Sequence, residues 1–380
     1  MLHIGRMGRF CALVGVVSSL LVVACGDNVG VDPDQTGPGD IIGGDVTPLG
    51  HTVAEVCGAM SWSTMTTAEP NMDLSLVNWP KQTTVIAVPV GGGSMTGFAL
   101  NDRLAMTTDP AGVKINLADT FTSVAVALNH NQDRIIATGV TATATTVNLL
   151  DPDLSNATQI AKLDGTILPK PGFFTTNHQT VVMVGGQDGV SVTQFDTAWA
   201  NLGTTLVGPS KPVTSLAATQ LGDAVLATWS TSAGECYVQQ IATHPGTPSG
   251  IATACANSRI AANVADDSAK IIFEGNNGIR IMHVAHTQMG GDSVQLRPDA
   301  HSPRIVFDGK RYWVSYIDLR GDIVVGFLDD HNQLISTGLF GPHPHRDAYE
   351  LAMVDGKPWV FSVDPTNGYV ANALCAVTSY

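Results

Sequence analysis

The residues with the greatest chemical capacity are histidines and acids clustered toward the C-terminal end. His343 and His345 form an H-x-H pair in GPHPHRD. In an extended strand, side chains two positions apart face the same side, so this pair could chelate one metal ion. His283 and His286, in IMHVAHTQ, have odd spacing and share a face only if the strand bends. Asp299, His301, Asp329, Asp330 and His331 fall in neighbouring loop stretches, and copper or zinc would suit such an imidazole-rich set. Asp151-Pro152-Asp153 and Asp329-Asp330 could bind calcium, but neither run carries a full ligand series. The competing reading of all these residues is solvated loop side chains, and no cofactor is expected. For catalysis, His301, Arg304, His343, His345 and Arg346 are the best candidates for an acid–base cluster. Gly91-Gly92-Gly93-Ser94-Met95-Thr96 is not a nucleophile elbow, because G-x-S-x-G needs glycine where Thr96 stands.

The six cysteines carry a second kind of chemistry. Cys11 and Cys25 lie at the N-terminus, leaving Cys57, Cys236, Cys255 and Cys375 in the body. No two have C-x-x-C spacing, so an even set in an exported chain reads as two disulfides rather than a zinc site.

Cys25 stands apart. Arg6 and Arg9 precede an apolar run from Phe10 to Val23, which is too short to span a bilayer as a mature helix. The run ends Leu21-Val22-Val23-Ala24-Cys25, which resembles the lipobox of a bacterial lipoprotein. The resemblance implies cleavage before Cys25, lipidation of that cysteine, and membrane attachment through the lipid. Gly26 follows, so the aspartate that signals inner-membrane retention in some bacterial lipoproteins is absent, and the resemblance favours the outer membrane, on its periplasmic or cell-surface face.

Residues 26–50 hold seven glycines, three prolines, five aspartates and no Lys or Arg. Such a segment buries too little apolar surface to offset its ordering entropy and reads as a flexible spacer. The expected division is therefore a signal over 1–24, the lipidated cysteine and linker over 25–50, and a folded domain over 51–380. Without the signal the chain has 17 basic and 33 acidic residues, a net charge of −16. That balance argues against nucleic acid and against adhesion to anionic headgroups through a basic patch. Charged residues are only 14% of the chain, a composition suited to β-structure with polar uncharged loops.

The elements that must position these side chains repeat about every 45 residues, a period expected of propeller blades. Residues 302–332 and 349–377 are the clearest copies. Each reads as strand, Asp-Gly turn, aromatic-rich strand, glycine turn and strand, with Asp308-Gly309 and Asp355-Gly356 in matched places. Asp-Gly suits the positive φ values of a two-residue hairpin turn. Gly189, Gly234, Gly278, Gly321 and Gly368 follow apolar runs at separations of 45, 44, 43 and 47 residues. Weaker copies start at Thr122 and at Thr96, the latter with Gly112 at its turn and a compressed tail. This makes seven units, or six if the first is not a full blade. No sustained 3.6-residue periodicity is present, so little helix is expected.

The last copy ends after three strands. A four-stranded blade would need its outer strand from Thr52–Cys57, which would bring Cys57 to Cys375 and close the ring. Cys236 and Cys255 would then clip the third and fourth strands of one blade. The sequence thus resembles an all-β propeller lipoprotein of a Gram-negative bacterium over residues 83–377. Neither the WD dipeptide of WD40 blades nor the Gly-Gly of kelch blades recurs, and a β-sandwich pair or β-solenoid is the alternative fold. Trp229, Trp313, Tyr316 and Trp359 fall on second strands and read as packing between blades. The expected function is a monomeric binding scaffold for another envelope protein. A hydrolase or lyase acting at the ring axis, or a carbohydrate-binding module with exposed tryptophans, is the alternative.

Overall fold

The computed structural model describes residues 52–62, 72–79, 82–89, 91–101, 105–108, 112–129, 131–170, 173–176, 179–222, 224–241, 248–285, 290–340, 349–364 and 368–378. Within them the chain forms seven four-stranded antiparallel sheets and no α-helix. Six sheets are simple meanders, which we number blades 1 to 6: residues 72–114, 123–164, 173–207, 213–253, 256–297 and 301–340. Blade 7 joins the two ends of the domain. Its sheet order is Tyr349–Val354, Lys357–Asp364, Gly368–Thr378 and then Thr52–Trp62. The fold is a seven-bladed β-propeller closed by its N-terminal strand.

The middle strands explain the apolar runs. All eight residues of Ala224–Thr231 and all six of Tyr312–Ile317 are buried, because each blade is covered on both faces by its neighbours. Continuous Val/Ile/Ala/aromatic runs therefore replace the alternation of a one-sided sheet. The apolar clusters lie between blades. Trp229 of blade 4 packs with Met183 and Val190 of blade 3, Trp313 of blade 6 with Leu351 and Leu374 of blade 7, and Phe98 of blade 1 with Phe361 of blade 7. Each fully buried large side chain stabilises the fold by roughly 1.5–3 kcal/mol. Trp229, Trp313 and Tyr316 are buried and Trp359 is partly so, as packing between blades requires.

Three local expectations change. The first blade begins at Met72, ahead of the segment read as its start, and Gly112 precedes the two-residue outer strand Val113–Lys114 rather than occupying the second turn. Asp355 and Gly356 have φ of 48° and 72° and form the expected two-residue turn, but Asp308-Gly309 opens a four-residue loop between Phe307 and Tyr312. The Asp308 side chain holds that wider loop, accepting from the Lys310 and Arg311 backbone N–H groups at 2.7 Å and from Trp313 Nε1 at 2.7 Å. At Gly278 φ is 106°, and a Cβ there would lie 2.2 Å from the Arg297 carbonyl oxygen, so the turn needs glycine on both counts.

Cys57 is joined to Cys375 across the closing strands, and Cys236 to Cys255. The register shifts between Val56 and Gly58, which places Cys57 at a bulge with its Cα 5.8 Å from that of Cys375. Cys255 lies just past the outer strand Ser249–Thr253 instead of within it. Ala254, at φ 58°, turns the chain so that the Cys255 N–H donates to Gly234 O at 3.0 Å. Two disulfides point to an oxidising, exported environment. No helix among the described residues is long and apolar enough to cross a membrane.

Candidate functional site: the axial cleft

The inner strands of the blades surround a cleft of about 380 Å³ on the propeller axis. This volume lies toward the small end of ligand sites, which run from about 300 to 1,000 Å³. Blades 5, 6 and 7 supply its wall through Arg259–Ala262, Arg304–Phe307 and Glu350–Met353, with Ser75, Asn78, Lys170 and Thr219 opposite. Arg259, Arg304 and Glu350 are separated by 45 and 46 residues, and each is followed by Ile or Leu. They are the same position of the inner strand in three successive blades.

A specific backbone feature aims the two arginines. In blade 5 the register slips between Ala256 and Arg259, and in blade 6 between His301 and Arg304. The residue two before each arginine takes a left-handed conformation, Asn257 at φ 47° and Ser302 at φ 53°. Bulges of this kind redirect the side chains that follow them. Glu274 holds both: its Oε1 accepts from Asn257 Nδ2 at 2.8 Å and from the Ser302 N–H at 2.6 Å. The Tyr349 hydroxyl donates to the Ser302 carbonyl, and the Arg304 guanidinium lies 4.8 Å from the centre of the Tyr349 ring.

The charges form one network with a surplus cation. Lys170, in the segment joining blades 2 and 3, reaches past blade 2 to donate to Asp73 Oδ1 and to Leu74 O, both at 2.6 Å. Asp73 Oδ2 accepts from Ser123 Oγ at 2.5 Å and from the Val124 N–H at 2.9 Å. Burial alone would raise the Asp73 carboxyl. The Lys170 charge and hydrogen bond, with the Ser123 and Val124 bonds, bring it below its ordinary value. Glu350 Oε2 lies 3.7 Å from Arg304 Nε and 3.9 Å from Lys170 Nζ, and accepts a hydrogen bond from neither. The Arg304 side chain is only 6% exposed.

Arg259 donates from Nη1 to Ser258 O at 3.0 Å, while its buried Nε has no hydrogen-bond partner. It makes no ion pair among the described residues. Burial, and then the like charge of Arg304, push the Arg259 guanidinium down to about 10. Among the described residues, three cations, Lys170, Arg259 and Arg304, thus face two carboxylates, Asp73 and Glu350. The described ionisable groups of the cleft are net positive within a chain of net charge −14. Buried polar atoms without partners normally have a water or ligand to meet.

Of the residues singled out from the sequence, Arg304 is in the cleft. His301 is exposed at the start of its strand and does not line it. His343, His345, Arg346, His286 and Cys25 lie outside the described residues. His283 and His331 are exposed, and Asp151, Asp153 and Asp329 serve their own loops. Asp151 pairs with Arg134 at 3.0 Å, Asp153 accepts from Ser155, and Asp329 accepts from the His331 and Gln333 N–H groups. No three His, Cys, Asp or Glu side chains among the described residues converge as metal ligands. The sequence reading missed Arg259, Lys170, Glu350, Asp73 and Glu274. The blade-period spacing of Arg259, Arg304 and Glu350 was the available signal.

No protein-family profile matches the chain, and no curated protein matches it significantly. Among solved structures, the WD40 domain of Toxoplasma gondii coronin is similar at a TM-score of 0.56 and 14% identity, over 88% of this chain and 89% of that one. At that identity the likeness is one of fold.

Proposed function

We propose that this chain is an exported binding propeller, lipidated at Cys25, spaced from the membrane by residues 26–50, and engaging its partner in the cell envelope at the axial cleft. One observation carries the reading: bulges in two adjacent blades direct arginines from matched positions into a single axial cleft, where their charge is not fully balanced. Propellers serve many functions, so the site and not the fold supports the assignment. The lipobox-like sequence and the disulfides support the exported setting. A hydrolase or lyase would need a cluster of His, Asp or Arg at the axial opening. Of the candidates for it, Arg304 lines the cleft, His301 does not, and His343, His345 and Arg346 lie outside the described residues.

Site-directed photocrosslinking in intact cells tests this. A photoreactive residue at Thr219, in the cleft, is expected to capture a partner that the same residue at exposed Thr204, on an outer strand, does not. Equal capture at both places, or capture at Thr204 alone, contradicts a cleft-centred site. Cys25→Ser is expected to move the protein from the membrane to the soluble fraction, and unchanged partitioning refutes anchoring there.

A further inference from the structure

We infer that the axial cleft recognises one carboxylate group carried beside hydroxyl donors, the chemistry of a hydroxy acid or a uronate, with Arg259 as the anchor for the carboxylate. This rests on the cleft being the binding site proposed above. Lys170 and Arg304 lie beside Asp73 and Glu350, whereas Arg259 has no carboxylate partner among the described residues. The cleft is therefore short of one negative charge, and a monoanion completes it. Arg259 commits Nη1 to the Ser258 carbonyl and leaves its Nε without a partner. The Nε edge of a guanidinium receives a carboxylate through two parallel hydrogen bonds, which a point cation cannot copy.

Glu350 sets the rest of the ligand. Its Oε2 is a buried acceptor without a donor, on the blade two along from Arg259. A ligand hydroxyl meets that need, and Thr219 adds a polar group to the wall. The same carboxylate repels a second negative charge, so a dianion such as phosphate is disfavoured. Ile305 and Phe307 provide apolar surface for a carbon skeleton, and the volume suits one small acid or one sugar unit.

Calorimetric titration of the purified full chain with D-glucuronate, D-gluconate, D-glucose and inorganic phosphate tests the inference. One of the two acids is expected to bind at least about tenfold more tightly than glucose. Preference for ring-form glucuronate points to a uronate unit, and preference for open-chain gluconate to a free hydroxy acid. Arg259→Gln is expected to lose about tenfold or more in affinity, with Arg259→Lys intermediate. Glu350→Gln should weaken the acid and improve phosphate. Glucose binding as well as either acid overturns the inference. So does unchanged affinity in Arg259→Gln when its thermal melt shows a folded protein. If neither acid binds at about 10 mM while Thr219 still captures a partner, the carboxylate assignment falls and the binding propeller stands. If Thr219 also captures nothing, both fall.

Discussion

Glu274 lies in blade 5 and Ser302 in blade 6, and the Glu274 carboxylate accepts the Ser302 backbone N–H at 2.6 Å. Because the same oxygen also accepts from Asn257, one side chain fixes the left-handed residues that precede both arginines of the cleft. The two bulges are thus mechanically linked across a blade boundary.

Glu274→Ala should therefore destabilise the propeller by about 2–3 kcal/mol, the scale of hydrogen bonds to a charged group. It should also weaken binding at the cleft although both arginines remain. Urea unfolding measures the first effect and titration of the folded variant the second. Unaltered stability and affinity would show that the bulges hold without it.

Arg259→Met should stabilise the unliganded protein by about 1 kcal/mol, because an unpaired buried cation is removed while much of the aliphatic packing stays. The pH dependence has a defined sign. The folded value of about 10 lies well below that of an ordinary arginine, so the native state disfavours the charged form. That penalty is fully present below about pH 10 and is relieved as pH rises beyond it. The gap between variant and parent in denaturant unfolding should be constant from neutral pH to about 9 and narrow above about 10.

Asp73 gives a slope of the same sign at acid pH, because its folded value is also depressed and stability again rises with pH through that range. Burial raises this carboxyl, but Lys170, Ser123 and Val124 outweigh it and hold the folded value below the ordinary 3.8. Its contribution is present above that value and is lost as pH falls through the depressed folded one. Asp73→Asn should be less stable at neutral pH, since Lys170 loses its partner, and should show a shallower loss of stability below about pH 4. Unfolding free energies measured across that range decide it; parallel curves for the two proteins would refute the assignment.

The two disulfides should differ in worth. The chain-entropy model gives about 3 kcal/mol for Cys236–Cys255 and about 5–6 kcal/mol for Cys57–Cys375, whose separations are 19 and 318 residues. Replacing Cys57 and Cys375 by serine should lower the denaturation midpoint more than the same change at Cys236 and Cys255. An equal or reversed order would show that ring closure is held by strand pairing alone.

Much of the architecture could be read from the chain because it repeats. The glycines at 189, 234, 278 and 321 all have positive φ, a requirement that leaves a visible residue type at each turn. The closing strand was legible as a missing fourth strand with a cysteine to match Cys375. The cleft was less so. Its bulges depend on positive φ at Asn257 and Ser302, residues that carry no such mark. Lys170 acts from a connecting segment, with a side chain long enough to cross a neighbouring blade. The Arg259–Arg304–Glu350 series followed the blade period, but only the inner-strand geometry shows that this position faces the axis.

The shared construction of blade 7 imposes an order on biogenesis. Strand Thr52–Trp62 leaves the ribosome before any blade, yet its hydrogen-bonding partner is Gly368–Thr378. A chain exported amino end first must carry that strand with an unsatisfied edge until nearly the whole polypeptide has emerged. The earliest strand made is the last to be paired, so a chaperone that shields strand edges during transit would find its longest-lived client segment at the amino end of the propeller.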